Sequence, residues 1–191
     1  MNVEESSSLT DLIADARRGE AGALDKIFHA AYADLHALAS ARLRASGHNR
    51  PLDTTALVHE SYLRFVQAGS LKAEDRPHFL NYAGRVMRSV IVDFARERLA
   101  QRRGGGALHV TLNTELADNV AGVGEEEILR IHEALEELAT HDERLVRVVE
   151  MRYFGGLSEA EIAASLGVHV RTVRRDWEKA RLLLAEALGL D

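Results

Sequence analysis

Basic side chains are concentrated near the C-terminal end of this sequence, where they could bind a polyanion. The segment SLGVHVRTVRRDWEKARLLL, residues 165–184, contains Arg171, Arg174, Arg175, Lys179 and Arg181. A guanidinium group can pair with the acceptors of a guanine or hold a phosphate through two parallel hydrogen bonds. The whole chain nevertheless carries a formal charge of −6. Local patches, rather than the total charge, decide whether a protein binds nucleic acid, so the charges must be considered segment by segment.

The charges are segregated along the chain. Residues 85–103 are basic, with only Asp93 and Glu97 among Arg85, Arg88, Arg96, Arg98, Arg102 and Arg103. Residues 115–137 are acidic, and Arg130 is their only lysine or arginine. Charge runs of this kind also occur on ordinary solvent-exposed helix faces, so they do not by themselves identify a binding site.

The elements that position these residues are predicted to be helices. Apolar residues recur at helical spacing along nearly the whole chain, and the sequence of 191 residues contains only two prolines. We expect one continuous helix over residues 21–45 and a long one that begins near Pro77. The glycine-rich residues 104–123 lack this period and are predicted to be a flexible linker. The prediction is an all-α protein with two small helical domains, residues 1–103 and 124–191.

The second domain contains the pattern of a helix-turn-helix. In LSEAEIAASLGVHVRTVRRDWEKA, Ser158 and Glu161 are spaced as a capping box, and Gly167 suits a left-handed turn. Ala163 is small enough for close helix crossing, and Val173 is placed to fill the crossing. The N-terminal half of the second helix would then present its polar side chains to the major groove of DNA: Arg171, Thr172, Arg174 and Arg175.

Two further segments add a family resemblance to this motif. FLNYAGRVMRSVIVDFARERLAQRR, residues 79–103, resembles the helix that reads and melts the −10 element in bacterial sigma factors of the extracytoplasmic-function (ECF) group. ALVHESYLRFV, residues 56–66, resembles the preceding helix, which docks on the RNA polymerase clamp. The helix-turn-helix is similar to the module of that family that reads the −35 element. The three segments occur in the family's order and cover nearly the whole chain.

The resemblance implies a sigma factor that binds core RNA polymerase and promoter DNA in the cytoplasm. Its −35 contacts would be Arg171, Thr172, Arg174 and Arg175. Its −10 contacts would be Tyr82, Arg85, Arg88, Ser89 and Arg96, although packing in the core is an alternative role for Tyr82. Its polymerase-docking residues would be Asp53, Val58, His59, Glu60 and Leu63. An anti-sigma factor is a further expected class of partner.

The docking segment departs from the family pattern in its charge. In most of the family this helix begins with carboxylates that pair with basic residues of the polymerase clamp, but here Thr55 and Ala56 occupy those positions. A phosphate on Thr55 would restore about −1.5 to −2 charges at a helix start, where the dipole also favours an anion. The sequence therefore predicts activation by a serine/threonine kinase, with Thr54 as the second acceptor. The alternative is that both threonines only cap the helix.

Other classes of function have less support from the sequence. The chain has no cysteine, which excludes disulfides and cysteine-ligated zinc, and its nine histidines are not at the spacing of a metalloprotease helix. No motif of a catalytic site, a cofactor site or a membrane-spanning segment stands out, and we expect no enzymatic activity. Two alternatives remain: a helix-turn-helix regulator that binds an operator without polymerase, and a helical adaptor without DNA contacts.

Overall fold

The computed structural model describes residues 8–45, 53–68, 71, 73–102 and 124–190. Over these ranges the chain is all-α and contains no strand, which confirms the predicted fold class. A π-helical turn, Glu150–Phe154, continues the seventh helix. The helices are α1 (Leu9–Arg17), α2 (Ala23–Ala30), α3 (Tyr32–Ala45), α4 (Thr54–Ala68), α5 (Arg76–Arg102), α6 (Glu125–His141), α7 (Glu143–Val149), α8 (Glu159–Leu166) and α9 (Val170–Leu188).

The helix expected over residues 21–45 is divided in two at Ala31, so the prediction of one continuous helix was wrong. The division is slight, because the Ala31 N–H still donates to the Ile27 carbonyl (2.8 Å) and the Leu35 N–H to the Ala31 carbonyl (2.9 Å). Ala31 is fully buried, as are Ile27 and Leu35. The bend therefore keeps apolar residues of both α2 and α3 in the core.

Aromatic rings form the centre of the N-terminal lobe, which we define as α1–α5. Phe28 of α2 makes edge-to-face contacts with Phe65 of α4 and Phe79 of α5, at centroid distances of 5.0 and 5.9 Å. Tyr62 packs edge-on against Phe28 at 5.0 Å, and its hydroxyl donates to Asp25. Offset and edge-on ring pairs stabilise a core beyond simple burial of apolar area. These contacts pack α2 against both α4 and α5.

Helix α5 also packs against the C-terminal lobe, which we define as α6–α9 with the π-helical turn. The largest buried apolar cluster includes Met87 and Val90 of α5 together with Val148, Met151 and Ile162 of the C-terminal lobe. The two lobes thus share apolar contacts among the described residues. The predicted linker, residues 104–123, lies outside the described residues, and the division into two domains stays a prediction.

One glycine permits the closest approach between the lobes. A Cβ on Gly84, in the middle of α5, would lie 2.3 Å from the Phe154 carbonyl oxygen of the π-helical turn. Any other residue at this position would force the two backbones apart. Glycine inside a helix costs roughly 0.5–1 kcal/mol relative to alanine, so the tight contact is a physical reason for its presence here.

The local geometry of α8 and α9 agrees with the sequence pattern. The capping box of Ser158 and Glu161 is present, and Gly167 ends α8 in the left-handed region at φ 64°. Val173 is fully buried and Ala163 is 5% exposed. The predicted capping box and left-handed glycine are confirmed, whereas the helix-turn-helix assignment stays a prediction. None of the helices in the described ranges has the length and apolar character needed to cross a bilayer.

Replacing Ser158 with alanine should destabilise the protein by about 1 kcal/mol, because it removes the hydroxyl that accepts from the Glu161 N–H at the start of α8. Hydrogen bonds from the Ser158 side chain and then its backbone lower the pKa of Glu161. Glu161 therefore stabilises the fold above its unfolded-state pKa, and this contribution is lost as the pH falls through the folded-state value. In Ser158→Ala the pKa of Glu161 should rise.

Denaturant titrations across acidic pH, with carboxyl NMR of Glu161, would check both effects. Glu161→Gln is the matched control, since its side chain can still accept from the Ser158 N–H but does not titrate. Unchanged stability and an unchanged Glu161 pKa in Ser158→Ala would contradict the assignment.

Candidate nucleic-acid interface

The first half of α9 presents a polar concave surface. Its lining includes all four residues that the sequence assigns to DNA, namely Arg171, Thr172, Arg174 and Arg175, together with His169 and Glu178. The Arg174 and Arg175 side chains are 66% and 69% exposed. We call this surface the α9 face.

The opposite side of α9 is anchored in the C-terminal lobe. Val173 and Ala180 are fully buried, and the carboxylate of Asp176, 3% exposed, accepts from Arg144 Nε of α7 at 2.7 Å. At the start of α9, His169 Nδ1 accepts from the Arg171 N–H. Since Val173, Asp176 and Ala180 follow helical spacing, their burial turns the intervening side chains outward.

Glu159 of α8 holds one of these outward arginines in place. Its carboxylate accepts from Arg174 Nε at 2.6 Å and from Arg152 Nη1 at 3.0 Å. The Arg152 guanidinium in turn lies over the Trp177 ring at 4.6 Å. The hydrogen bond from Arg174 lowers the pKa of Glu159, and the same contact raises the pKa of Arg174. Arg174 is therefore oriented before it meets any ligand.

A second polar groove lies along α5 and includes most of the predicted −10 residues. Tyr82, Arg85, Arg88 and Ser89 line it, with Arg64 of α4 among their neighbours. We call this surface the α5 groove. The structure does not place Arg96 in the lining of the groove; its side chain is 57% exposed and lies 3.7 Å from Asp93.

Two predicted −10 residues of the α5 groove, Ser89 and Tyr82, contact residues of α4 in the same lobe. Arg64 donates to the Ser89 hydroxyl at 2.7 Å and to the Asp93 carboxylate at 2.8 Å. The Tyr82 ring packs edge-on against Phe65 at 4.8 Å. This contact is the core packing that the sequence left open as the alternative role for Tyr82, although the ring is only half-buried.

The other two predicted −10 residues of the groove, Arg85 and Arg88, are paired with the C-terminal lobe. The carboxylate of Glu150 lies 3.3 Å from Arg85 Nε and 3.1 Å from Arg88 Nη2. The Glu150 side chain is 5% exposed and that of Arg88 is 15% exposed, whereas Arg85 remains 57% exposed. Arg88 also lies 3.5 Å from Glu136 of α6.

The predicted docking residues are divided between the surface and the core of α4. His59 and Leu63 are exposed and, with Thr55 and Val66, follow one another at helical spacing along one face. We call these four residues the α4 stripe. Val58 is 4% exposed and belongs to the core, because it lies on the buried side of α4 with Leu57 and Phe65. Its role in docking stays a prediction.

Asp53 and the two threonines have different roles at the start of α4. Asp53 caps the helix, since its carboxylate accepts from the Thr55 N–H at 3.3 Å and its carbonyl from the Leu57 N–H at 3.0 Å. Thr54 and Thr55 are the first two helical residues, and Thr55 is exposed. Glu60, the other predicted carboxylate, lies 3.8 Å from Arg64.

Three residues that shape these surfaces were missed by the sequence analysis: Gly84, Glu150 and Glu159. The isolated glycine inside a strongly helical segment was an available signal of a close backbone contact. Glu150, a carboxylate flanked by the apolar residues Val149 and Met151, was an available signal of a buried partner. In the described part of the chain, no group of three or more histidine, aspartate or glutamate side chains could hold a metal ion.

Comparison with known proteins adds one finding to this geometry. The family model described as ECF sigma factor matches residues 6–189, which include the α4 stripe, the α5 groove and the α9 face. Comparison with individual curated proteins gives no match.

Glu159→Gln should release Arg174, because the neutral amide loses the charge-assisted part of the hydrogen bond. We expect faster solvent exchange of the Arg174 Nε–H by NMR and little change at Arg175, which makes no contact with Glu159 in the structure. In the unmodified protein the Arg174–Glu159 pair should persist at a pH where an ordinary glutamate is half-protonated and break as the pH falls further, since the pKa of Glu159 is lowered. Equal exchange in both proteins would contradict this orienting role.

Proposed function

The chain belongs to the ECF sigma factor family, and we propose that it binds core RNA polymerase and directs promoter-specific transcription initiation in the cytoplasm. The observation that carries this proposal is the family match over residues 6–189, which extends across both lobes. In this proposal residues 1–103 dock on polymerase and recognise the −10 element. Residues 124–191 recognise the −35 element, and residues 104–123 link the two domains.

The exposure of the α9 face supports the −35 assignment. Arg171 and Arg175 project from it, and Arg174 is oriented by Glu159. A pre-oriented guanidinium loses less side-chain entropy when it pairs with a base, which favours selective contact. We therefore assign base reading to Arg174 and Arg175, and contacts along the same element to Arg171 and Thr172.

The polarity of the α5 groove supports the −10 assignment. An aromatic ring such as Tyr82 can stack on an unpaired base, and arginines such as Arg85, Arg88 and Arg96 can follow the backbone of a single strand. Ser89 adds a hydroxyl in the same groove. The role of Arg85 and Arg88 requires that they exchange Glu150 for nucleic acid.

The α4 stripe is the proposed docking surface for polymerase, with Asp53 and Glu60 as nearby carboxylates. Phosphorylation of Thr55 by a serine/threonine kinase would add charge at one end of this stripe. Two observations support the modification: Thr55 is exposed, and Asp53 rather than a threonine caps the helix. An anti-sigma factor is a second proposed means of control.

Substitution of the base-reading arginines should impair transcription. Arg174→Ala and Arg175→Ala should each cost about 1–3 kcal/mol of promoter discrimination. The assay uses a promoter selected from a random DNA library by the wild-type protein with core polymerase. Arg181→Ala is the matched control, because Arg181 is exposed on α9 but outside the α9 face. Folded Arg174 and Arg175 variants with full activity would contradict the assignment.

The same selection without core polymerase separates the two DNA-binding hypotheses. A sigma factor should select and transcribe promoters only with core polymerase. A stand-alone regulator should instead select a duplex site without it, and that result would overturn the proposed function.

A phosphate on Thr55 should strengthen binding to core polymerase by about tenfold, since it adds charge-assisted contacts at a helix N-terminus. The proteins to compare are the unmodified chain, Thr55→Ala, and full-length protein with phosphothreonine installed at position 55 or 54. Phosphothreonine at Thr10 is the matched control, because Thr10 is exposed and is also the second residue of its helix. Binding is measured by fluorescence anisotropy at two salt concentrations.

The expected gain is confined to Thr55 and decreases at high salt. Equally tight binding by the unmodified protein and Thr55→Ala, with no gain on phosphorylation, would rule out the switch. Thr55→Glu is less informative, because a single carboxylate provides less charge and fewer acceptor oxygens than phosphate.

A further inference from the structure

We propose that a cavity between α5, α6 and the π-helical turn binds a small neutral aromatic molecule that carries one hydroxyl group, of the size of phenol. The cavity has a volume of about 80 Å³ and is partly open to solvent. It shares one residue, Arg88, with the α5 groove. The inference goes beyond the proposed function, because binding of this molecule requires neither polymerase nor DNA.

The wall of the cavity is mainly apolar. Two residues each from α5, α6 and the π-helical turn form it: Ile91, Val92, Ile128, Ile131, Tyr153 and Phe154. Sites for small molecules typically combine such a wall with a few polar groups that orient the ligand. The rings of Tyr153 and Phe154 pack edge-on at 5.1 Å, and a further ring can add to such a pair. The wall therefore favours an aromatic ligand over a strongly polar one.

The volume of the cavity limits the ligand to a single ring. An apolar protein cavity of roughly 150 Å³ is known to hold benzene. The present cavity is smaller, at about 80 Å³, but its open side allows part of the ring to remain in contact with solvent. A larger ring system would extend beyond the apolar wall, where its burial would no longer favour binding.

Two polar side chains, Arg88 and His132, complete the lining. Arg88 Nη1 and His132 Nδ1 are buried without a hydrogen-bond partner, and Glu136 lies 3.8 Å from His132 Nδ1, too far for a hydrogen bond. A buried polar atom without a partner costs free energy that a ligand can recover. Both nitrogens are covered by neighbouring atoms, but a half-turn of the imidazole exchanges Nδ1 with Cδ2 without displacing the ring. The unmet hydrogen bonds therefore indicate a ligand with a polar group.

The charges around these two side chains favour a neutral polar group. Glu150 and Glu136 lie 3.1 and 3.5 Å from Arg88 Nη2, so the charge of Arg88 is already balanced. Burial, and then the charge of Arg88, lowers the pKa of His132, so the imidazole is neutral at pH 7 and offers one N–H and one acceptor nitrogen. A hydroxyl both donates and accepts, so it can pair with either nitrogen. A carboxylate would instead be repelled by the two glutamates.

Phenol is the probe, and the full-length chain is labelled at its isoleucine methyl groups for NMR. Three isoleucines line the cavity, Ile91, Ile128 and Ile131, whereas Ile13, Ile27 and Ile162 lie elsewhere. Phenol should shift the methyl signals of the first three and leave the others in place. The shifts should saturate with a Kd of about 1 mM, as expected for a ligand with so few atoms.

Two further ligands test the chemistry of the site on the unmodified protein. Benzene has the same ring without the hydroxyl, and it should bind about tenfold more weakly because no hydrogen bond replaces the water that phenol displaces. Benzoate has a charged group, and it should bind more weakly than phenol because Glu136 and Glu150 repel it. Equal affinity for phenol and benzene, or tighter binding of benzoate, would overturn the proposal.

Two substitutions test the position of the site. Ile131→Phe should fill the cavity and His132→Leu should remove the polar group, and each should weaken phenol binding about tenfold. Leu184→Phe is the matched control, since Leu184 packs with Ile131 on the same apolar cluster but does not line the cavity. His132→Asn, whose amide still donates and accepts, should retain most of the affinity.

Circular dichroism verifies folding, and the ligand series on the unmodified protein decides the question if a variant does not fold. Shifts that do not saturate, shifts spread over all six isoleucines, or unchanged binding in Ile131→Phe would overturn the site. Failure of the proposed function would leave every one of these results unchanged, because the titrations contain neither polymerase nor DNA.

Discussion

The contact between Gly84 of α5 and the carbonyl of Phe154 determines how the two halves of this protein fit together. At this distance no side chain can separate the backbones. Met87 and Val90 can then join Val148, Met151 and Ile162 in one apolar cluster, and Arg88 is brought within reach of Glu150. A helix that would otherwise be the outer wall of the N-terminal lobe becomes an internal element of the whole structure.

The segregation of charge in the sequence acquires a structural meaning from this arrangement. Residues 85–102 of the basic segment lie on α5, and residues 125–137 of the acidic segment lie on α6, which packs against it. Arg98 and Glu125, 15% and 4% exposed, meet at 3.1 Å, and Arg88 approaches Glu136. The acidic segment thus offsets part of a surface that would otherwise attract polyanions. The overall charge of −6 therefore does not describe the local surface of either segment.

The features predicted from sequence were mainly local ones. The capping box at Ser158 and the left-handed Gly167 depend on residues only a few positions apart, so their chemistry is visible in the chain itself. The α9 face followed from helical periodicity in the same way. Glu150 was not assigned, because its partner Arg88 is 62 positions away and no periodicity links them. Val58 is buried within the predicted docking segment, since the resemblance identified that segment without distinguishing its faces.

An ion pair between two lobes differs energetically from one inside a single core. Removing one partner of a fixed, buried pair costs about 3–5 kcal/mol, because the remaining charge stays buried without a counter-charge. Arg88 and Glu150 are a pair of this buried kind, with side chains 15% and 5% exposed, and they belong to different lobes. Loss of either one would therefore leave a buried charge and also remove a contact that joins α5 to the C-terminal lobe.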